Sequence, residues 1–580
     1  MVTAKNRKLF FILLFAVPFL FSNASSVFAQ NIPPGAEPGA EAERFREQSE
    51  RQKQEFGGKA LKIPKIEVSQ KGEKPTLPTL SFILKEVKIS GSNIFTPKEL
   101  LSIYQDIYEN YHNKEVTLQD MQKVAQKIQD IYDKKGYLTT NVFIPEQEVK
   151  DGIIEISVIE GKMGELKIEG NKYFSTPLIK SYFHSKKNEI LNIETLRKDI
   201  LRLNQSSGLE VKTVISPGAQ PETSDITLQV ADSFPWHIGI AEDTLGTRLT
   251  GKYRTSYTLR CANLTGYGDT FFADTLFSQL SFGESVSYTL PLGSNGTKFG
   301  IDATYFKMKI GKEFVPFDII GRTQIYSPRI SWELALREEY QADFLVGMDI
   351  KSIIKKQQSL QITDDQLRLP WFGFNFNKQD VHGSTSFLPK FTFGTNEFWG
   401  ASSRNHPSAS RANTGGEFVK YTQTLNRTQR MPLKSYMTLR SQMQVASHTL
   451  PSVEQFQIGG AYSVRGYPEG AYLCDTGGYL SADWVFPMYI IPERWKLPKQ
   501  NSALRYQIQP VIFADCGGGK LKKVLSGEKQ NQFLAGFGGG LQLNFTGISL
   551  RVEWAKPFGG DRPQAGQGKS TFSLIFSSEI

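Results

Sequence analysis

The 580-residue chain has little cysteine, little histidine and, past its N-terminal stretch, no long apolar run. Three cysteines offer no disulfide framework, so the fold has to hold by its own core; Cys474 and Cys516 could pair only if folding brought them together. The six histidines (His112, His184, His237, His382, His406 and His448) are scattered. There is no H-E-x-x-H, no paired C-x-x-C and no G-x-S-x-G, so no metal, no cofactor and no enzyme chemistry are expected. "GFGGGL", Gly536 to Leu541, is glycine-rich, but it lies in a strand-like run and does not read as a phosphate loop. The net charge is +10 without any dense Lys/Arg block, which argues against a nucleic-acid partner. After the N-terminus no 18 consecutive residues are apolar, which excludes a membrane helix but leaves open a closed barrel.

The N-terminus reads as an export signal. Lys5, Arg7 and Lys8 precede an apolar run from Leu9 to Phe21, and Val27-Phe28-Ala29 offers a cleavage site before Gln30. A Pro/Gly-rich lead then runs into "AEAERFREQSERQKQEF", Ala40 to Phe56, read as one helix. Arg46/Glu50 and Glu47/Arg51 are opposite charges four residues apart. The helix is polar almost all round, so it is expected in water or in a cavity with polar walls. Gly57-Gly58 ends it, and a Lys/Pro-rich linker follows to about Leu80.

Next comes an internal repeat: "LKEVKISGSNIFTPKEL" from Leu84 and "MGELKIEGNKYFSTPLI" from Met163. Each gives a short strand, a glycine (Gly91, Gly170), an aromatic (Phe95, Phe174) and Thr-Pro at a helix start (Thr96-Pro97, Thr176-Pro177). In the first copy Met121, Val124, Ile128 and Ile131 give Leu118 to Lys135 a helical stripe, closed by Gly136. Tyr137 to Ile144 and Ile153 to Ile159 read as strands joined through Asp151-Gly152. The order is strand, helix, helix, strand, strand, and the second copy repeats it to about Val230.

Beyond Phe234 the character changes. All seven tryptophans lie there, from Trp236 on, and strand alternation takes over. In Ala503 to Asp515, Leu504, Tyr506, Ile508, Pro510, Ile512 and Ala514 share one face, and Arg505, Gln507, Gln509 and Asp515 the other. In Gly547 to Trp554, apolar residues alternate with Ser549, Arg551 and Glu553; Leu541, Leu543 and Phe545 alternate likewise. About 350 residues of such runs, with Trp and Tyr near strand ends, predict a transmembrane barrel of about 16 antiparallel strands. One late loop stands out: "SVRGYPEG", Ser463 to Gly470, sets an arginine among glycines and a proline.

Together, the signal, charged helix, repeats, barrel and "IGGAYSVRGYPEG" (Ile458 to Gly470) followed by "FADCG" (Phe513 to Gly517) resemble the transporters of two-partner secretion, the haemolysin-activator type. The resemblance covers nearly the whole mature chain and implies a division into a signal peptide (1–29), a plug helix in the lumen (30–56), a periplasmic linker (57–80), two POTRA (polypeptide-transport-associated) domains of α+β fold (81–160 and 161–233) and the all-β barrel (234–580). It further implies that the late loop folds back into the lumen. Val464, Arg465, Gly466 and Tyr467 would form its tip, and Arg465 would meet Asp515 of the F-x-D-x-G motif Phe513, Asp515 and Gly517 on the wall. The chain ends Phe576-Ser577-Ser578-Glu579-Ile580, without the terminal aromatic frequent in the family, so Ile580 or Phe576 would serve the barrel-assembly machinery.

The implied function is export of a large secreted exoprotein with an N-terminal secretion domain, from the periplasm across the bacterial outer membrane. The implied partners are that exoprotein, outer-membrane lipids and the assembly machinery. Tyr137, Thr139, Asn141 and Phe143 are the candidate cargo-binding edge, where an extended chain could add as a strand. An insertase of other barrels, which usually carries more repeats, and a passive channel, which needs no repeats, are the alternatives.

Overall fold

The computed structural model describes residues 32–57, 66–68, 81–412, 414–498, 500, 502–524, 528–560 and 570–580. The expected signal peptide and most of the linker lie outside the described residues.

The N-terminal helix α1 spans Pro38–Gly57. Its expected i,i+4 pairs form, Arg46–Glu50 at 3.2 Å and Arg51–Glu47 at 3.3 Å. Its 20 residues make it about 30 Å long, the thickness of a bilayer's hydrocarbon core. A short strand β1 (Ile66–Val68) lies in the linker.

The first repeat runs β2 (Ser81–Ile83), β3 (Glu86–Ser90), α2 (Pro97–Tyr111), β4 (Glu115–Thr117), α3 (Leu118–Lys134), β5 (Asn141–Phe143) and β6 (Ile153–Ile159). The second runs β7 (Lys162–Glu169), α4 (Thr176–Ser181), α5 (Ile193–Asn204), β8 (Leu209–Pro217) and β9 (Thr223–Asp232). The motif residues explain the shared fold. Thr96 caps α2 through a box with Glu99, and Pro97 opens the helix. In the second copy the cap falls one residue earlier than expected: Ser175, not Thr176, accepts from Leu178 N. An acid at the end of the last strand ties down the turn after each glycine. Glu160 accepts from the N–H groups of Asn93 and Ile94, and Asp232 from those of Lys172, Tyr173 and Phe174. Burial works against the Asp232 carboxylate, but the three N–H groups outweigh it and hold its carboxyl below the usual range.

The sheets are ordered β3-β6-β5 and β7-β9-β8. Each puts one hydrophobic face on its helices: Ile154, Ile156 and Val158 meet Met121, Val124 and Ile128 in the first, and Ile226, Leu228 and Val230 meet Leu196 and Ile200 in the second. One expected strand is corrected. Only Asn141–Phe143 of Tyr137 to Ile144 is strand; Tyr137 to Thr140 forms a turn, with Thr140 N bonded to Tyr137 O at 3.0 Å. The glycine that ends α3 leaves the chain too tightly folded to enter the sheet sooner.

The described residues close a sixteen-stranded antiparallel barrel. It comprises β10 (Trp236–Asp243), β11 (Arg254–Ala262), β12 (Thr270–Ser278), β13 (Ser281–Pro291), β14 (Lys298–Lys309), β15 (Ile319–Leu336), β16 (Tyr340–Gln357), β17 (Leu360–Asp380), β18 (Gly383–Phe393), β19 (Val419–Arg430) and β20 (Tyr436–Ala446). A hairpin of β21 (Phe456–Ile458) and β22 (Tyr472–Cys474) interrupts the series. The wall resumes with β23 (Thr476–Val485), β24 (Ile508–Lys520), β25 (Asn531–Phe545), β26 (Ile548–Gly560) and β27 (Thr571–Glu579). β20 pairs directly with β23, so the 447–475 connection leaves the wall, and β27 closes onto β10. Ile580 extends that seam by exchanging backbone bonds with Ile238. The expected strand from Ala503 is shorter: Leu504–Tyr506 is a 3-10 turn, and the strand begins at Ile508. Cys261, Cys474 and Cys516 are free thiols.

Candidate functional site

The site is built where three wall strands bring their inward faces together. Period-two alternation turns Ser481 and Asp483 of β23, Phe513 and Asp515 of β24, and Arg551 and Glu553 of β26 to the lumen. Register aligns them: Ser481 faces Asp515 and Asp483 faces Phe513, while Glu553 lies opposite Gly540 on the intervening β25. Glycines make β25 thin there. A Cβ on Gly536 would lie 2.0 Å from the Arg465 carbonyl oxygen, so only glycine admits the loop this close.

The 447–475 connection folds into that space. Gly466 takes φ +96°, and a Cβ on it would press on the Lys556–Pro557 backbone. The turn aims Arg465 at the wall. Its Nε donates to Asp515 Oδ2 at 2.7 Å and its Nη2 to Asp515 Oδ1 at 2.7 Å, a two-pronged pair. The Arg465 backbone N–H also donates to Asp515, at 3.0 Å. Nη2 reaches Asp483, and Nη1 reaches Glu553 at 3.2 Å. The guanidinium lies 3.5 Å from the centre of the Phe513 ring. Arg465 is only 2 % exposed and Asp515 only 4 %. Val464 and Tyr467 anchor the tip in an apolar cluster with Phe456, Ile458, Tyr472 and Leu534. Gly517 stands one rung further on, opposite Tyr479.

Sequence reading singled out Arg465 and Asp515 but not the rest of the charges. Arg440 donates to Asp483 at 2.9 Å, and Arg551 contacts both Asp483, at 3.2 Å, and Glu553. Three arginines thus face three carboxylates. Arg551 and Glu553 were already on the polar face of their strand, but nothing local says which strand stands beside which.

Helix α1 fills another part of the lumen. Lys351 of β16 donates to Glu43 at 3.1 Å, Lys355 to Glu37 at 3.3 Å, Arg254 to Gln48 at 2.9 Å and Lys53 to Asp302 at 3.3 Å. The expected polar walls are there, but one contact is apolar. Phe45 is buried against Phe306, with ring centres 5.8 Å apart, beside Leu249, Leu276 and Met308. The helix and the folded-in loop also touch. Gln457 donates to the Ala40 carbonyl at 2.6 Å, and Lys351 bridges Glu43 of the helix to Glu454 of the loop.

The second repeat docks on the rim where β10 enters. Arg202 pairs with Glu333 at 2.8 Å, and His184 contacts Asn295 at 3.1 Å. The candidate edge residues are dispersed. Tyr137 and Thr139 lie in the turn before β5, Tyr137 edge-on to Tyr132, while Asn141 and Phe143 lie on β5. The outward rung of β5 is held by a side chain: Gln129 of α3 accepts from Val142 N–H at 3.0 Å and donates to the Thr140 carbonyl at 3.0 Å. The matching edge of the second repeat, β8, is covered by β1, which pairs with it in parallel from Ile66↔Thr213 to Val68↔Ile215.

Known proteins share this architecture. Residues 222–543 match the haemolysin secretion/activation protein family ShlB/FhaC/HecB, and residues 82–161 match the ShlB-type POTRA domain. The heme/hemopexin transporter protein HuxB of Haemophilus influenzae is 23% identical over 98% of this chain and 99% of its own length. The outer membrane transporter CdiB of Dickeya dadantii is 22% identical over 72% of this chain and 73% of its own. The solved structure of CdiB from Escherichia coli superposes with a TM-score of 0.72 at 18% identity, covering 96% of this chain and all of that one. The family match spans more than half of the chain, and its barrel and repeats accord with it: the chain belongs to the haemolysin secretion/activation family, outer-membrane transporters of two-partner secretion that take a partner exoprotein through POTRA domains and a barrel to the cell exterior.

Proposed function

We propose that the Arg465 cluster holds the folded-in loop in the secretion-competent position and that α1 is the removable plug beside it. The observation that carries this reading is the contrast in anchoring. The loop tip concentrates its ion pairs on one buried guanidinium, while the helix is held mainly by separate ion pairs along its length. Cargo arrives extended in the periplasm and adds its backbone to the β5 edge, where Asn141 and Phe143 lie and Tyr137 and Thr139 flank the approach. Its peptide groups take over the two bonds that the Gln129 amide makes. Displacement of β1 from β8 would pull on the linker to α1, so loading of the repeats and plug release share one tether.

The partner is one large exoprotein with an N-terminal secretion domain. Outer-membrane lipids surround the barrel, the barrel-assembly machinery inserts it, and the chain carries cargo without chemistry of its own. The test is deletion of the gene followed by comparison of proteins in the medium, on the surface and in the outer membrane. Loss of one large exoprotein from the exterior, with other barrels normal, is the expected result. A collective fall of other barrel proteins would make this an insertase. No change in either would leave a passive channel.

A further inference from the structure

The connection between β23 and β24, residues 486–507, is out of scale with its rim. Strand order places it on the same side as the repeats, because β10 starts there and β23 is the twelfth wall strand. Barrels of this class have short connections on that side. The others here span two to seven residues, as at 381–382, 546–547 and 263–269.

The long connection is organised. Met488 N bonds to Arg505 O at 2.8 Å and Leu504 N to Trp495 O at 2.8 Å, so its two arms pair with each other. Tyr489 donates to Leu433 O at 2.7 Å in the neighbouring turn. Lys434 of that turn reaches Glu493 at 2.9 Å and the Tyr506 hydroxyl at 2.8 Å. On the far side, Thr546 donates to Gln500 at 2.8 Å. Acid, base and phenol are therefore engaged with one another.

The large apolar side chains are not covered. Ile490 is 86 % exposed, Trp495 55 %, and Leu497 and Leu433 are also exposed. Arg494 and Lys496 flank Trp495 and are exposed too. The surface is continuous with the barrel's outward apolar band. Trp484 on that band donates its indole N–H to Ser435 in the neighbouring turn at 3.2 Å, and its ring centre lies 4.8 Å from that of Phe486, at the foot of the connection, with the rings tilted. Exposed Trp, Ile and Leu flanked by cations are the composition of a segment lying at a membrane–water boundary.

We infer that the described residues between 486 and 498 form a membrane-resting outrigger, with Ile490, Trp495 and Leu497 in the headgroup–acyl boundary of the periplasmic leaflet and Arg494 and Lys496 on anionic phospholipid headgroups. The inference rests on the outer-membrane placement of the barrel and not on cargo transport. Since the second repeat docks on the turns near β11 to β16, the outrigger braces the opposite part of the rim.

The experiment reconstitutes the full chain in phosphatidylethanolamine vesicles containing phosphatidylglycerol. It compares wild type with Trp495→Phe, using lipids brominated on the acyl chain and, separately, aqueous iodide as quenchers. The emission that Trp495→Phe removes is expected to fall about twofold or more with brominated lipid and little with iodide. Replacing phosphatidylglycerol by phosphatidylcholine should weaken the lipid quenching. A nitroxide on Ile490→Cys, in a Cys516→Ser background, should be relaxed by oxygen more than by a water-soluble nickel complex. Quenching by iodide alone, with a water-exposed nitroxide, overturns the assignment. If lipid has no effect but added exoprotein shifts the Trp495 emission, the surface is a cargo site and the assignment is again overturned. Neither failure counts against the transport reading: the first is measured without exoprotein, and the second is itself an exoprotein contact.

Discussion

Two pieces of the chain share the barrel lumen, and they are held in opposite ways. The loop tip inserts one guanidinium among three carboxylates, under an aromatic ring and against glycines that let the backbones approach closely. Helix α1 spreads its attachment over separate contacts to several strands and buries Phe45. The difference lies in how each can be undone. Spread ion pairs can be lost one at a time, each at part of the total cost, whereas a shared buried cluster resists until it fails as a whole.

The largest effect should come from Arg465→Ala. It leaves three buried carboxylates facing two arginines, costs about 3–5 kcal/mol, and should reduce exoprotein in the medium more than tenfold. Quantitative blotting of the medium and the thermal midpoint of the folded barrel measure the two parts. If secretion persists with the midpoint lowered, the cluster only stiffens the wall. A sharper break is the exchange Arg465→Asp with Asp515→Arg. A simple pair would be rescued by it; here the new aspartate would face Asp483 and Glu553, so secretion should stay absent.

Lys351→Met should come next. It removes the cation shared by Glu43 and Glu454, loosening helix and loop together. Planar-bilayer recordings should show open events several times more often than in wild type; an unchanged record would mean that the two pieces are held independently. Phe45→Ala should act on the helix alone. Core Phe→Ala losses are about 3–5 kcal/mol, and the lumen setting should bring this one below that range. The expected reading is more frequent opening with the loop cluster intact. Smallest is the salt response: raising ionic strength should favour helix release while leaving a cysteine cross-link between loop tip and wall equally efficient.

Sequence made some of this contrast legible. The i,i+4 charges of α1, the Thr96-Pro97 helix start and the alternation around Asp515 depend on neighbours close in the chain, and they stand where those patterns put them; the second helix start misses by one residue, its cap being Ser175. The companions of Asp515 do not. Glu553 and Arg551 showed their polar parity, but only register across β23 to β26 brings them to Arg465. Phe45 was hidden for a similar reason: an aromatic in a polar helix gains its meaning from a recess formed by β12 to β15 and the loop before β11. The strand expected from Tyr137 failed because apolar composition says nothing of how long a turn after Gly136 has to be. The pairing of β1 with β8 likewise needs the second repeat already folded before the linker can be seen to meet it.

The equal count of arginines and carboxylates around Arg465 has one more consequence. A balanced cluster casts little field beyond its own dimensions, so a polypeptide sliding past it would feel neither a positive nor a negative collar. Withdrawing the loop by a few ångströms splits that balance, leaving a bare anion on the wall and a bare cation on the loop until water reaches both. The bonds are short-ranged, so resistance is concentrated at the first instant of motion and fades quickly. Such a device behaves as a snap fastener rather than a spring: closed, it is electrically quiet; half-open, it is unstable; and it has two resting positions with little between them.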